Sequence, residues 1–199
     1  MNEREVVERF RDGNRDAFRM LYDRYAPKMI KTATLILKNH MSAEDAVQET
    51  FIECYRRIGA LRETDRFGSW LYKILIRKCW EKGAKERRHS DIDEFELEDK
   101  AGEQPEQAVL RKWTARERSR ALFDALASVS LAQRTVLVLY YFNEMPIKEI
   151  ARTANCLEGT VKARLHYGKK KLAGLLEGSE AARGSKTMLR EEWQHAKGN

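Results

Sequence analysis

One acidic strip constrains this chain more than any other feature. Residues 89–110 carry eight acidic side chains and one basic; residues 1–88 carry 14 acidic and 20 basic, and residues 111–177 carry 6 and 13. The strip has no sustained apolar period and contains Gly102 and Pro105. Such a segment buries too little to offset the entropy of ordering it, so it reads as a linker, about 20 residues long and able to span tens of Å. The charge pattern of the 199 residues fits two small basic units on an acidic tether, and composition alone fits equally a single basic helical protein with a solvated acidic loop. The expected boundaries are 1–88 and 111–177 for the units, 89–110 for the linker and 178–199 for a tail.

Composition sets the class of each unit. Gly occurs 11 times and Pro 3 times, against abundant Ala, Leu, Glu, Lys and Arg. An all-α protein is expected, as two small helical domains on an acidic linker. Cys54, Cys79 and Cys156 are odd in number and form no CxxC, which argues against a disulfide framework and for a reducing, cytoplasmic setting. No apolar run reaches the roughly 18–20 residues of a membrane span. Met1 to Glu5 lacks the apolar start of a secretory signal, and none is expected. The four histidines match no metal-ligand spacing with the cysteines, and no phosphate-binding or nucleophile-elbow glycine motif occurs. No catalytic residue, metal, cofactor or small-molecule substrate is therefore expected. Two basic blocks and a net charge of +7 point instead to nucleic acid.

Periodicity places the elements. Asn14 or Asp16 can cap a helix with Phe18, Leu21, Tyr22 and Tyr25 on one face. Pro27 reads as the start of a new helical segment with Met29, Ile30, Ala33 and Leu37 inward. Lys38–Met41 reads as a turn, and Ser42 with Asp45 resembles a capping box for a helix over about 43–58. That helix buries Val47, Phe51, Cys54, Tyr55 and Ile58. A polar loop over 60–66 precedes a helix from Phe67 to about Lys82, with Trp70, Leu71, Ile74 and Leu75 apolar. In the second unit a helix is expected over about 106–127, and another from Leu131 with Val136, Leu137, Leu139, Tyr140 and Tyr141 apolar. Pro146 then suits the first position of a short helix, Asn155-Cys156-Leu157 a turn, and Glu158-Gly159-Thr160 the start of a last helix. Two helices, a tight turn and a basic second helix make a helix-turn-helix. In the tail, Met188, Leu189, Trp193 and Ala196 have helical spacing.

Three surfaces carry chemistry. On the last helix, Lys162, Ala163, His166 and Tyr167 fall where base edges of a major groove would lie, and Lys169 and Lys170 suit phosphates. On the 43–58 helix, Asp45, Gln48, Glu49 and Glu53 form an acidic, amide-bearing stripe within a basic domain, which suits a basic protein partner better than DNA. Around the 60–66 loop, basic residues stand beside aromatics in a pattern that can grip backbone and stack unpaired bases, although the period also favours a core role for Trp70 and Phe67.

Ser42-Ala43-Glu44-Asp45-Ala46-Val47-Gln48-Glu49-Thr50-Phe51 resembles a signature of bacterial extracytoplasmic-function (ECF) sigma factors of the sigma-70 family. Phe67-Gly68-Ser69-Trp70-Leu71-Tyr72-Lys73-Ile74 is similar to a second, and Leu157-Glu158-Gly159-Thr160-Val161-Lys162-Ala163-Arg164-Leu165-His166 to a third. The resemblance covers roughly 15–177. It implies two helical domains, regions 2 and 4, that bind core RNA polymerase and direct it to promoter DNA. Asp45, Gln48, Glu49 and Glu53 would bind the polymerase. Arg62, Thr64, Asp65, Arg66, Phe67, Lys73 and Arg77 would capture unstacked bases of the −10 element. Thr160, Lys162, Ala163, Arg164, His166, Tyr167, Lys169 and Lys170 would read the −35 element. It also implies an anti-sigma factor as a regulating partner, one that can hold the protein at the membrane. Departures at Lys162, Ala163, His166 and Tyr167 leave the −35 preference open, and Gly168 inside the recognition helix costs about 1 kcal/mol relative to Ala.

Two rivals are weighed against this. A stand-alone LuxR-like helix-turn-helix regulator would need a sensory fold in its first half. An enzyme with an appended DNA-binding module would need a catalytic constellation.

Overall fold

The computed structural model describes residues 2–89 and 123–176. Most of the acidic strip, most of the helix expected over 106–127 and the whole tail lie outside the described residues. Every regular element among the described residues is helical.

The chain begins with a helix that the periodicity analysis does not anticipate. Helix α1, Glu3–Arg11, is two and a half turns capped by a reciprocal box in which the Asn2 side chain accepts from Glu5 N and Glu5 accepts from Asn2 N. It buries Val6, Val7 and Phe10. Helix α2, Arg15–Leu37, is capped by Asn14, whose side chain accepts from Ala17 N at 2.9 Å. Pro27 does not start a new segment; it lies inside α2, where it forgoes one backbone bond. Leu21, Ala26, Met29 and Ala33, buried on both sides of it, keep the helix in one piece.

The next junction is tighter than expected. Lys38 takes the left-handed conformation at φ 64° and ends α2, and Asn39 caps helix α3, His40–Arg57, by accepting from Ser42 N. The cap is therefore Asn39, not Ser42, because the turn needs only two residues. Ser42 donates instead to Glu86 of the following helix. After two short 3-10 turns, Ile58–Ala60 and Thr64–Arg66, helix α4 runs from Phe67 to His89. It is longer than the expected 67–82, so Arg77, Lys78 and Lys82 sit on a helix face rather than on a trailing end. Helices α1, α2, α3 and α4 pack together as the first unit.

The second unit opens with a helical stretch over 123–128. Helix α5, Leu131–Leu137, starts from a capping box of Ser130 and Gln133 and widens into a π turn over Val138–Phe142. Val136, Leu137 and Leu139 are buried, whereas Tyr140 is exposed, because the wider turn rotates it off the apolar stripe. Pro146 is the N-cap of helix α6, Ile147–Thr153, one position earlier than expected. Asn155 makes the left-handed turn at φ 46°, and helix α7 runs from Glu158 to Leu176. Gly168 is the close approach of α7 to α5: a Cβ there would stand 3.0 Å from Leu137 Cδ1.

The two units share one buried cluster, joined by polar contacts between residues far apart in sequence. Asn143 Nδ2 donates to Thr32 Oγ1 at 3.1 Å and to Tyr72 Oη at 3.0 Å, and all three residues are buried. The Thr32 hydroxyl itself donates to Lys28 O at 2.8 Å. Arg134, 7% exposed, donates to Ile36 O at 2.8 Å and to Val129 O at 3.1 Å, so a guanidinium from the second unit caps the C-terminal end of α2. Trp80 Nε1 donates to Thr135 Oγ1 at 3.0 Å, and Gly83 leaves room for Leu131. Asn143→Leu keeps the volume and removes the hydrogen bond that Nδ2 donates to each of two buried hydroxyls, which costs about 1–3 kcal/mol. We expect it to lower the melting temperature and to increase the distance between labels on α3 and α7 in a fluorescence-transfer measurement; an unchanged distance would show that the network does not hold the units together.

Candidate polymerase and nucleic-acid interfaces

Helix α3 buries Ala43, Ala46, Val47, Thr50, Phe51 and Cys54, which leaves it two flanks. Asp45, Glu49 and Glu53 recur every four residues and turn toward α4. There Lys82 Nζ lies 2.9 Å from Glu49 and 3.6 Å from Asp45, and Lys78 Nζ lies 3.5 Å from both Glu49 and Glu53. Glu53 also accepts from Arg57 at 2.9 Å and from Arg77. The Arg77 hydrogen bond, reinforced by Arg57 and Lys78, lowers the Glu53 pKa from 4.5 to about 2. The Lys82 ammonium likewise holds the Glu49 carboxyl below its ordinary range. Much of the acidic stripe is thus neutralised inside the chain.

The other flank is apolar and open. Gln48, Ile52 and Tyr55 border a groove of about 440 Å³ completed by Phe18, Tyr22 and Phe51. Ile52 is 51% exposed and Tyr55 49%. Tyr55 is therefore not core; its ring meets Phe18 edge-on at 5.3 Å and leaves the rest of its surface to solvent. The sequence reading misses this groove. Its signal is Ile52, an apolar residue off the buried stripe.

The residues expected at the −10 element divide by burial. Arg62, Asp65, Arg66, Lys73 and Arg77 are exposed. Phe67 is fully buried against Tyr25 and Trp70, and Thr64 is 7% exposed, so neither side chain is offered to a base. This corrects both assignments: Phe67 starts α4 on its inward face, and Thr64 opens the 3-10 turn that delivers it there. Arg62, Asp65, Arg66 and Lys73 line one cleft with Trp70, and α6 supplies Lys148, Glu149 and Arg152 opposite. Arg77 does not line that cleft; it lies in a smaller adjoining one, shared with Trp70 and Lys73, and is bonded to Glu53.

On α7, Lys162, Ala163, His166, Tyr167 and Lys170 are exposed along one outer face. Tyr167 is 62% exposed and its ring meets His166 edge-on at 5.4 Å. Thr160, Arg164 and Lys169 are half-buried at the margins, and Arg164 turns back to the Cys156 sulfur at 3.7 Å. Val161 and Leu172 hold the opposite face in the core. Cys54 and Cys79 are buried thiols whose pKa values burial pushes up to about 12.

The depressed Glu53 pKa makes an acid-stability prediction. The group stabilises the fold above its ordinary pKa of 4.5, and that contribution disappears as pH falls toward about 2. Glu53→Gln should reduce stability near neutrality by about 1 kcal/mol, and thermal melts should show the gap to the parent closing across that interval. A gap that persists to the acid end would mean Glu53 acts through packing.

Two family models match the chain: sigma-70 region 2 over residues 21–89 and sigma-70 region 4 over residues 119–172. The ECF RNA polymerase sigma factor SigW of Bacillus subtilis is 28% identical over 176 residues, covering 83% of this chain and 92% of that protein. The RNA polymerase sigma-H factor of Pseudomonas aeruginosa is 29% identical over 185 residues, covering 88% and 94%. Among solved structures, CnrH in complex with the cytosolic domain of CnrY superimposes with a TM-score of 0.67 at 21% identity, over 89% of this chain and 99% of that one. The sigma factor RpoE bound to the anti-sigma factor NepR of Bartonella quintana gives 0.62 at 22%, over 82% and 98%. Both describe the same fold. With region 2 on the first helical unit and region 4 on the second, the chain belongs to the sigma-70 family, as an extracytoplasmic-function sigma factor.

Proposed function

We propose that this protein is an alternative sigma factor that docks on core RNA polymerase through the open flank of α3 and directs it to promoters with two separate DNA-reading surfaces. The observation that carries the function is the pairing of region 2 and region 4 on one chain. A LuxR-like regulator has a helix-turn-helix but no reason to carry region 2. Nucleotidyl transfer belongs to the polymerase in this reading, and the protein works in the cytoplasm beside it.

The polymerase contact centres on Gln48, Ile52 and Tyr55, with Asp45 and Glu49 as its charged rim. An apolar groove with aromatic anchors suits an amphipathic helix of the partner, and the rim charges set its approach. Glu53 has a different role, as the carboxylate that fixes Arg77 and Lys78 on α4. The −10 surface is Arg62, Asp65, Arg66 and Lys73 with Trp70, where cations hold a strand and an indole stacks a base. The −35 surface is the outer face of α7: Lys162, Ala163, His166 and Tyr167 toward base edges, Thr160, Arg164, Lys169 and Lys170 toward phosphates. In the arrangement described, α6 lies across the cleft from Trp70 and Lys73, so a promoter strand reaches α4 only when the units part. An anti-sigma factor that favours the closed arrangement is part of this proposal, in line with the complexes in which CnrH and the Bartonella factor are found.

The test is run-off transcription with core polymerase on a pool of promoter fragments. Discrete starts should appear only when the protein is added, and Ile52→Glu should abolish both the starts and co-elution with polymerase while helicity stays intact. Duplex binding by the protein alone, without co-elution, would overturn the reading. Lys170→Ala should weaken DNA binding about equally on all sequences and flatten the salt slope by about one unit. A loss confined to one base position would instead make Lys170 a base reader.

A further inference from the structure

The cleft between the two units holds more positive charge than its own carboxylates balance. It is an open cleft of about 700 Å³, with Arg62 and Lys73 on the first unit's wall and Lys148 and Arg152 on the second unit's. Among the described residues, no carboxylate lies within salt-bridge distance of these four cations. Of the three carboxylates lining it, Glu63 is paired with Arg66 at 2.9 Å and Asp65 faces Arg4 at 3.9 Å, which leaves Glu149. Like charges thus converge from both units, and among the described residues of the lining Glu149 is the one carboxylate left to balance them.

Thr153, the last residue of α6, is 4% exposed, and its hydroxyl has no hydrogen-bond partner among the described residues. A helical threonine ordinarily donates to the carbonyl four residues back, as Thr32, Thr34, Thr50 and Thr135 do here. Thr153 lines both this cleft and the adjoining one of about 430 Å³, and Trp70 and Lys73 are common to the two. Four cations and an indole around a space of this size match a ligand with phosphates at one end and a flat ring at the other.

We propose that this interdomain cleft binds a free nucleotide, with its phosphates between Arg62 and Lys73 on one wall and Lys148 and Arg152 on the other, and its base against Trp70. Because the site exists only while the units are together, the bound nucleotide favours the closed arrangement by its differential affinity. Binding stands independently of the sigma-factor reading; its consequence, competition with the promoter strand for Lys73 and Trp70, rests on it.

The experiment is calorimetric titration of the full chain, at about 0.15 M salt, with ATP, GTP, inorganic triphosphate and a short oligo-dT. One nucleotide should bind per chain, and inorganic triphosphate should bind more weakly because it lacks a ring. Arg152→Ala and Lys148→Ala, both at exposed positions, should each weaken nucleotide binding about tenfold. Asn143→Leu lies outside the cleft wall and should also weaken it, by loosening the docking. Oligo-dT, which needs only the α4 wall, should keep or gain affinity in Asn143→Leu. No heat of binding with ATP or GTP at millimolar concentration would overturn the proposal. So would nucleotide binding indifferent to Arg152→Ala and Asn143→Leu, which would put the ligand on one unit alone. Equal affinity for triphosphate and ATP would remove Trp70 from the site. Failure of run-off transcription would bear on the sigma-factor reading and leave these outcomes unchanged.

Discussion

Asn143 lies where α2, α4 and the π turn meet, and the relation between the two units depends on how its amide is satisfied. Its Nδ2 serves Thr32 and Tyr72 together. Both partners are buried, and each would lose its bond without gaining water if the amide moved slightly. An apolar interface tolerates sliding; a buried amide with two fixed acceptors does not. The Arg134 guanidinium adds a second fixed point, because the Ile36 carbonyl it caps belongs to the last turn of α2 and points in one direction. Together they specify a single docked arrangement, whereas the shared hydrophobic cluster alone would permit several.

The ladder between α3 and α4 shows how a charge pattern changes meaning once its neighbour is known. In sequence, Asp45, Glu49 and Glu53 look like a docking stripe for a basic partner. In the fold, the basic partner is the chain's own Lys78, Lys82 and Arg77. Exposed pairs of this kind contribute little singly, but Glu53 touches three cations and is only 17% exposed, so it fixes the rotamers of Arg77 and Lys78. The same ladder turns the opposite flank of α3 outward. Ile52 and Tyr55 stay open to a partner because Glu49 and Glu53 are already committed to α4.

Buried faces are legible in this sequence wherever a helix is long enough to repeat its period. Val47, Phe51 and Cys54 on α3 and Leu71 and Leu75 on α4 fall inward as their spacing requires. The outer face of α7 is legible for the same reason. Helix α1 is not, since Val6, Val7 and Phe10 span fewer than three turns and leave almost no period to detect. Thr64 and Phe67 sit in a turn, where no period says which side chain goes in. The docking of the units is invisible locally. Its partners are separated by 55 to 111 residues, and Thr32 and Asn143 are polar residues that a linear pattern assigns to the surface.

Helix α4 carries the consequence, because its faces are committed to three different tasks. Arg77, Lys78 and Lys82 face α3; Tyr72, Trp80 and Gly83 meet the second unit; Trp70 and Lys73 line the cleft. The second and third are adjacent, so they are not independent. Parting the units opens the cleft wall that holds Trp70 and Lys73, and in the same step Trp80 loses its bond to Thr135 and Tyr72 its bond to Asn143. In the proposed reading, DNA on this face works against the docking contacts, and the docking contacts work against DNA. A change that weakens the Asn143 network then raises the open fraction, and strand binding at Trp70 and Lys73 rises with it until the units are fully apart, even though no residue of that network touches DNA.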